Sequence, residues 1–269
     1  MFLWITVAAH LSLLGLLAGK PGLTAVILIG YAGYHGLIAW AILSPRSRLF
    51  GPNRSRLDTQ EPIVSLTFDD GPHPAVTPRL LDLLRERGVR GTFFLIGREV
   101  ERHPEIVRRI ASEGHALGNH TASHSYLFWA HSRVRLRREI ASAQEAIEAA
   151  AGVRCRQFRA PVGLKNPWLS AELGRMGLEL WSWEVRRLDR GRPDPARLLR
   201  RLRRRLRPGS ILLLHDGADR RPAGNPGVLE ALPVLLNALA TLGYRCEPLE
   251  AERPVAFTAE FSPTEYSLR

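Results

Sequence analysis

Two pairs of side chains have the types and spacing of a metal site. Asp69 and Asp70 are adjacent and precede a glycine, and His120 and His124 are four residues apart. Adjacent carboxylates repel each other, so one of them usually needs a neighbouring cation. Histidines at this spacing share one face of a helical turn. Two imidazoles and one carboxylate form a common ligand set for Zn²⁺ or a similar divalent ion, which leaves the second acid free as a general base. Taken alone, each pair also fits a solvated turn or a surface helix.

Two further polar residues follow predicted strands. Arg159 lies in the sequence F-R-A-P-V-G, and His215 ends the apolar run I-L-L-L. A histidine that ends an apolar strand at a site is a good candidate for a general acid. Taken alone, Arg159 also fits a structural salt bridge and His215 a hydrogen-bonded strand end.

The elements that must position these residues alternate regularly between strand and helix. Apolar runs predict strands over residues 63–68, 92–96, 116–119, 156–159, 178–183, 211–214 and 244–248. Helical periodicity lies between them, over residues 76–88, 98–113, 132–151, 166–176, 194–207 and 228–242. This alternation predicts an α/β fold with a parallel sheet. About seven strands in this length favour a closed or nearly closed barrel, with an open doubly wound sheet as the alternative.

The polar residues fall at the carboxyl ends of four predicted strands. Asp69 and Asp70 end the first strand, His120 the third, Arg159 the fourth and His215 the sixth. In barrels and open α/β sheets alike, sites are built at this end of the strands. We therefore expect these side chains to converge.

The order and surroundings of these residues resemble the polysaccharide deacetylase family, also called the NodB-homology domain or carbohydrate esterase family 4. The specific motifs are T-F-D-D-G-P and H-T-x-x-H, supported by R-A-P-x-G and L-L-L-H-D-G. The resemblance covers roughly residues 63–250. It implies a deformed (β/α) barrel and metal-dependent removal of an N-acetyl group from an amino sugar.

The resemblance also implies a role for each matching residue. The metal ligands are Asp70, His120 and His124, with Zn²⁺ as the expected ion and Co²⁺, Ni²⁺ or Mn²⁺ as alternatives. Asp69 is the general base and His215 the general acid. The remaining implied roles are Arg159 orienting Asp69 and Leu213 lining the pocket for the acetyl methyl group.

The sequence departs from the family pattern in two places. The usual R-P-P-Y-G is R-A-P-V-G here, so Val162 keeps the backbone N–H expected to bind the oxyanion but lacks the aromatic ring. The usual D-x-x-D-W motif is not found. Asp189 is the substitute expected to tune His215, and Trp183 is expected to line the site or to lie in the core.

Residues 1–44 differ in composition from the rest, because Lys20 is their only formal charge. Two apolar runs, 2–19 and 23–43, flank a Lys-Pro-Gly break, and a bilayer core needs about 20 apolar residues per helix. This predicts a transmembrane helical hairpin, with a signal peptide or a buried hairpin as alternatives. The predicted organisation is a two-helix anchor over 1–44, a basic linker over 45–61, a catalytic domain over 62–250 and a tail over 251–269.

The charge pattern bears on location and partners. The linker contains four arginines and no acid before Asp58, which favours a catalytic domain on the cytoplasmic side of the inner membrane. An arginine-rich helix over residues 193–208 fits either a barrel helix with a basic outer face or contact with anionic lipid headgroups. Aromatic residues are not interleaved with these arginines, so we expect no nucleic-acid partner. Cys155 and Cys246 are too far apart for a zinc knuckle or redox pair.

The sequence therefore predicts a membrane-anchored hydrolase that removes the N-acetyl group of an amino sugar in a polysaccharide or a lipid-linked glycan. Two alternatives remain. One is a deformylase or other deacylase of a lipid-linked amino sugar. The other is a catalytically silent barrel that binds glycans or serves as a scaffold. The sequence leaves the oligomeric state open.

Overall fold

The computed structural model describes residues 21–189, 194–217 and 227–249. The first arm of the predicted hairpin and the predicted tail lie outside the described residues. The second arm is helical over Pro21–Leu43, here named α1. Among the described residues, no helix combines the length and the apolar character that crossing a bilayer requires.

Strands and helices alternate from residue 63 onward. The strands are β1 (Ile63–Gly71), β2 (Thr92–Leu95), β3 (Ala116–Asn119), β4 (Gln157–Phe158), β5 (Glu179–Leu180), β6 (Ile211–His215) and β7 (Arg245–Cys246). The α-helices are α2 (Thr77–Glu86), α3 (Gly97–Arg102), α4 (Pro104–Ser112), α5 (Arg133–Ala151), α6 (Leu169–Arg175), α7 (Pro195–Arg205) and α8 (Gly227–Thr241). All the predicted strands are found, with shorter β4, β5 and β7, and all the predicted helices are found except the single helix over 98–113.

The single helix predicted over 98–113 is wrong. It is two helices, α3 and α4, because Pro104 opens α4 directly after His103. Proline has no backbone N–H and clashes with the preceding turn, so it is tolerated at a helix start and ends a helix that reaches it.

The seven strands form a parallel sheet, as predicted. Their order is β5-β4-β3-β2-β1-β6, and β7 pairs with the start of β1. The sheet curves round so that the segment after β5 pairs with β6. Val185 pairs with Leu212 in parallel, and the backbone N–H of Leu213 donates to the Val185 carbonyl at 2.8 Å. This closure makes the fold a deformed barrel rather than an open sheet.

The segment predicted as a linker takes part in the closure. Arg54 pairs with Trp181 beyond β5, and Arg56 pairs with Ser210 before β6. The Arg54 N–H donates to the Leu180 carbonyl at 2.9 Å. Residues 54–56 therefore fill the gap between the two edge strands.

Apolar side chains pack on both sides of the strands, against the helices outside and within the barrel inside. The outer layer packs alternate strand residues such as Leu66, Phe68 and Leu214 against the helices. The inner layer fills the barrel with Phe94, Trp181, Trp183, Ile211, Leu213 and Leu249. Because side chains alternate along a strand, Thr67 and Asp69 of β1 lie on the inner side, between the outward residues.

Candidate active site and metal site

The two adjacent acids come together at a distortion of β1. The pairing of β1 with β2 shifts register between Asp69 and Gly71, and Asp70 has a left-handed φ of 75°. An extra residue in a strand re-aims its side chain, and such bulges concentrate near active sites. The bulge allows Asp69 and Asp70 to serve one site, although neighbours on a regular strand point to opposite faces.

Asp70 lies against both histidines of the H-T-x-x-H motif. Its Oδ1 atom is 3.5 Å from Nε2 of His120 and 3.2 Å from Nε2 of His124. The three ligand atoms all lie within 4.8 Å of one another. Both histidines are buried and Asp70 is partly buried. The structure thus brings the three predicted metal ligands into one cluster.

The donor atoms of this cluster suit a divalent cation. The Nδ1 atom of His120 lies 2.8 Å from the Arg159 carbonyl oxygen. With its proton on Nδ1, His120 donates there and leaves the Nε2 lone pair facing Asp70, the arrangement found in most metal-bound histidines. Two imidazole nitrogens and one carboxylate oxygen match the chemistry of zinc and of similar first-row ions. The residues therefore fit a metal ion.

The protonation states in the cluster agree with this role. Burial opposes ionisation of Asp70, but its hydrogen bond with His120 and the nearby histidines bring its pKa down to about 2. Burial and the neighbouring His120 lower the pKa of His124 to about 4. Burial lowers the pKa of His120, but Asp69 and Asp70 outweigh it, so that pKa is raised. A bound cation would replace the proton that His120 otherwise attracts.

Arg159 holds the second acid. One guanidinium nitrogen, Nη1, donates to Asp69 Oδ1 and to Thr67 Oγ1, each at 2.7 Å. Its other nitrogens donate to the carbonyls of Trp181 and Ser182 at 3.3 and 3.1 Å. Arg159 is fully buried, and burial lowers its pKa despite the charge of Asp69. This pairing fixes the Asp69 carboxylate, with Oδ1 toward the Arg159 guanidinium and Oδ2 at 3.8 Å from His120 Nε2.

His215 and Asp189 form a second charged pair. Asp189 Oδ2 lies 2.9 Å from His215 Nδ1 and accepts the His215 backbone N–H at 2.8 Å. His215 is register-paired with Asp69 across the neighbouring strands. Burial lowers the pKa of His215, but Asp189 outweighs burial and raises that pKa to about 9. His215 is therefore protonated at neutral pH beside Asp69 and the metal cluster.

The residues predicted to meet the substrate lie around this centre. Val162 is exposed and follows Arg159 in a short 3₁₀ turn, with φ at 54°. Leu213 and Trp183 are buried in the inner barrel layer below the site. The Trp183 ring centre is 5.6 Å from the guanidinium carbon of Arg159. The Trp183 ring therefore lies next to the Arg159 guanidinium.

The site contains unusual backbone geometry. Five non-glycine residues of the described chain have positive φ, namely Asp70, Thr121, His124, Val162 and Arg187. Four of the five belong to the site motifs. Such conformations cost free energy and collect where function requires them. Thr121 compensates locally, because its Oγ1 accepts the His124 N–H at 3.1 Å and its own N–H donates to Asn119 Oδ1 at 2.9 Å.

Sequence reasoning did not single out Asp216 for a role. It is fully buried, and its Oδ2 accepts the Thr77 hydroxyl at 2.5 Å. Its backbone N–H donates to the Asp69 carbonyl at 3.2 Å. Burial raises the pKa of Asp216 to about 7. The signal in the sequence was its place in the motif L-L-L-H-D-G, between His215 and Gly217. The structure shows why a glycine follows Asp216, because a methyl group at position 217 would stand 2.0 Å from the Asp70 carbonyl oxygen.

Comparisons with known proteins agree with this geometry. The sequence profile of the polysaccharide deacetylase family matches residues 56–181. A chitooligosaccharide deacetylase of Azorhizobium caulinodans is 36% identical over 203 residues, which are 72% of this chain and 96% of that protein. A peptidoglycan-N-acetylglucosamine deacetylase of Bacillus cereus is 35% identical over 187 residues, covering 69% of this chain and 85% of that protein.

Solved structures show the same relationship. The Bc1960 peptidoglycan N-acetylglucosamine deacetylase aligns with a TM-score of 0.66 and 31% identity, over 73% of this chain and 90% of that one. BA3943 of Bacillus anthracis, a pseudoenzyme of carbohydrate esterase family 4, aligns with a TM-score of 0.64 and 27% identity. That alignment covers 73% of this chain and 67% of BA3943.

These findings define a class of protein. The closed parallel barrel, the carboxyl-end site and the relatives place this chain among the carbohydrate-active hydrolases of carbon–nitrogen bonds outside peptides. The chain belongs to the polysaccharide deacetylase family, the NodB-homology domain or carbohydrate esterase family 4. It is an amino-sugar deacetylase of that family.

Proposed function

We propose that this enzyme removes the N-acetyl group of an amino sugar in a metal-dependent hydrolysis. One observation carries the proposal. The Asp70, His120 and His124 cluster and the base candidate Asp69 share a centre with His215, which its contact with Asp189 keeps protonated. Amide hydrolysis at neutral pH needs an unprotonated base and a protonated acid at the same centre.

Asp69 acts as the general base. Its carboxylate is fixed by Arg159, and its Oδ2 atom faces the metal cluster near His120. From there it takes a proton from the water that attacks the amide carbonyl carbon. Arg159 keeps the carboxylate oriented and balances its buried charge. A divalent ion on Asp70, His120 and His124 would polarise the carbonyl and acidify water.

His215 acts as the general acid. The amide nitrogen is a poor leaving group until it is protonated. The C–N bond breaks as the imidazolium of His215 gives its proton to that nitrogen, which leaves as the free amine of the sugar. The acetyl carbon keeps the new bond to oxygen and leaves as acetate. Asp189 stabilises the imidazolium before transfer and holds the ring in one orientation.

Val162 and Leu213 shape the acetyl pocket. The Val162 backbone N–H is the proposed donor to the oxyanion, and its left-handed turn re-aims the peptide group. Leu213 supplies an apolar wall for the acetyl methyl group. Because Val162 lacks the aromatic ring usual in the family, the sugar above this turn has less stacking surface.

The substrate is an amino sugar of the type that the relatives act on, in a polysaccharide or on a lipid. A deformylase or other deacylase would use the same residues and differ only in the acid released. The silent scaffold is disfavoured, because the ligand set, base and acid all stand at one centre. Zinc is the expected ion. Membrane attachment and the cytoplasmic side remain predictions, which fractionation with protease protection would test.

The experiment is amine release by the purified chain after metal stripping and after adding back Zn²⁺, Co²⁺, Ni²⁺ or Mn²⁺. The panel includes acetylated chitooligosaccharides, peptidoglycan fragments and lipid-linked N-acetyl and N-formyl amino sugars. Acetate and formate are measured separately. Metal-restored release of amine with acetate supports the proposal. Release of formate alone would favour the deformylase. Equal amine release by the metal-stripped and the metal-loaded enzyme would overturn the mechanism.

A further inference from the structure

The exposed apolar side chains of this protein are unevenly distributed. Among the described residues, thirteen large apolar side chains are exposed. Six lie on α1, and Leu49 follows that helix. Five more lie in the segments that follow β3 and β4 at the barrel's carboxyl end, namely Tyr126, Leu127, Trp129, Val134 and Val162. Only Val153, before β4, lies toward the amino end of the strands. The five side chains at the carboxyl end are called the apolar rim here.

The apolar rim touches the active site. The ring of Tyr126 packs edge-on against His124, with the ring centres 5.5 Å apart. Val162 is three residues from Arg159 and carries the proposed oxyanion donor. A membrane or protein surface that binds the rim would therefore also cover the opening of the active site.

Hydrogen bonds join the rim to α1. The Asn166 side chain donates to the carbonyls of Trp129 and His131, each at 2.9 Å. Next to it, the Lys165 N–H donates to the Ile42 carbonyl near the end of α1 at 3.3 Å, and Lys165 Nζ donates to the Ser44 carbonyl. The end of α1 and the rim are thus held to one loop, residues 161–166. The exposed apolar surface of α1 begins beside the active site.

The same end of the barrel is basic. Exposed arginines follow α1 at Arg46 and Arg48, and Arg135 lies beside Val134 of the rim. Arg133 is also exposed but forms an ion pair with Glu172. Residues 45–57 contain no acid. A surface that mixes tryptophan, tyrosine and aliphatic side chains with arginines matches a bilayer interface, where apolar groups enter the acyl boundary and cations meet anionic headgroups.

We propose that the apolar rim and α1 form one lipid-contacting surface, and that the site acts on an amino sugar carried by a membrane lipid. The substrate class rests on the proposed function; the lipid contact does not. The surface lies on the bilayer, and the site opens toward the headgroups. A sugar held at the bilayer surface by its lipid then reaches Asp69 and the metal cluster.

A fluorescent label on the rim tests the lipid contact without enzyme activity. The full chain carries Leu127→Cys with a polarity-sensitive fluorophore, and Val153→Cys is the matched control. The native Cys155 and Cys246 have pKa values that burial raises to about 12, so they label slowly. Vesicles of phosphatidylethanolamine and phosphatidylglycerol are added. We expect a blue shift and intensity gain at position 127 and none at position 153.

Other outcomes overturn the lipid contact. Protein that floats with the vesicles without a shift at position 127 would show that α1 binds while the rim faces water. A shift that depends on protein concentration without vesicles would assign the rim to a second copy of the chain. Failure to bind vesicles at all would remove the lipid surface.

The substrate class has its own test. Leu127→Asn should slow amine release from a vesicle-bound lipid-linked amino sugar by about tenfold, since it removes one buried leucine from the lipid contact. It should leave release from a soluble acetylated oligosaccharide unchanged, and Val153→Asn should change neither rate. Equal effects on both substrates would contradict the lipid-linked substrate. Release from neither substrate by the unaltered chain would instead contradict the proposed function, while the label still reports on the surface.

Discussion

Asp189 Oδ2 bonds to His215 twice, at 2.9 Å from the ring Nδ1 and at 2.8 Å from the backbone nitrogen. The double contact fixes the ring and its charge together. Asp189 comes from beyond β5 and His215 from the end of β6, so the contact also spans the seam where the barrel closes. The pair that raises the pKa of His215 therefore also joins the two sides of this seam.

Replacing Asp189 with asparagine should shift the pH dependence of kcat. The carboxylate holds the pKa of His215 at about 9, above its ordinary 6.5. A general acid works only when protonated, so activity is present below that pKa and lost as pH rises through it. Without the charge, the descending limb should move toward pH 6.5, and kcat at pH 8 should fall about 30-fold. Asp194→Asn, at the start of α7, is the control. If the descending limb of the pH profile does not move, Asp189 does not set the pKa of the general acid.

Replacing Arg159 with methionine should destabilise the fold as well as abolish activity. It leaves the buried Asp69 without its cation, and breaking a buried pair costs about 3–5 kcal/mol. The matched control is Arg245→Met, whose 2.6 Å partner Glu61 is exposed; exposed pairs contribute about 0–1 kcal/mol. Urea unfolding of both variants measures the difference. Similar losses in the two would mean that Asp69 needs no buried counter-charge.

Replacing Gly217 with alanine should damage the site through the backbone. The new methyl carbon would stand 2.0 Å from the Asp70 carbonyl oxygen, too close for any side chain, so the β1 end must move. We expect weaker metal binding by equilibrium dialysis and lower kcat. Gly174→Ala, in α6, meets nothing within 4 Å and should bind metal normally. Normal metal binding by both variants would show that the β1 end adapts.

Replacing Asp216 with asparagine should change stability in a pH-dependent way. Burial raises the pKa of this acid to about 7, well above its ordinary 3.8. The unfolded chain therefore ionises it first, and the native protein loses stability as pH rises from about 4 to 7. Asparagine cannot ionise, so the melting temperature of the variant in chelator should exceed the wild type at pH 8 more than at pH 4.5. A gap independent of pH would contradict the buried ionisation.

The order of the elements and the convergence of the site could be predicted from the sequence. Apolar runs and their spacing gave the strands, and Asp69, His120 and His215 stood out because polar residues ended those runs. The bulge at Asp70 could not be foreseen, because register is a property of the paired strands. Nor could barrel closure through Arg54 and Arg56, since those bridges join segments far apart in the chain.

Burial explains the remaining differences. Asp216 looks like an ordinary turn residue in the sequence, and only packing against Thr77 and the β1 end buries it. The break at Pro104 was visible as a residue type, but helical periodicity on both sides obscured it. Trp183 was ambiguous between site and core, and the structure places it in the inner layer with its ring toward Arg159.

Asp69 and Asp70 offer the most direct test of the mechanism, because the proposal gives adjacent and chemically identical residues different tasks. Each is changed to asparagine in the full chain, and metal content and amine release are measured on the same samples. We predict that Asp69→Asn keeps its metal and loses amine release, whereas Asp70→Asn loses both. Metal loss in Asp69→Asn with retention in Asp70→Asn, or full activity in either variant, would contradict the assignment of base and ligand.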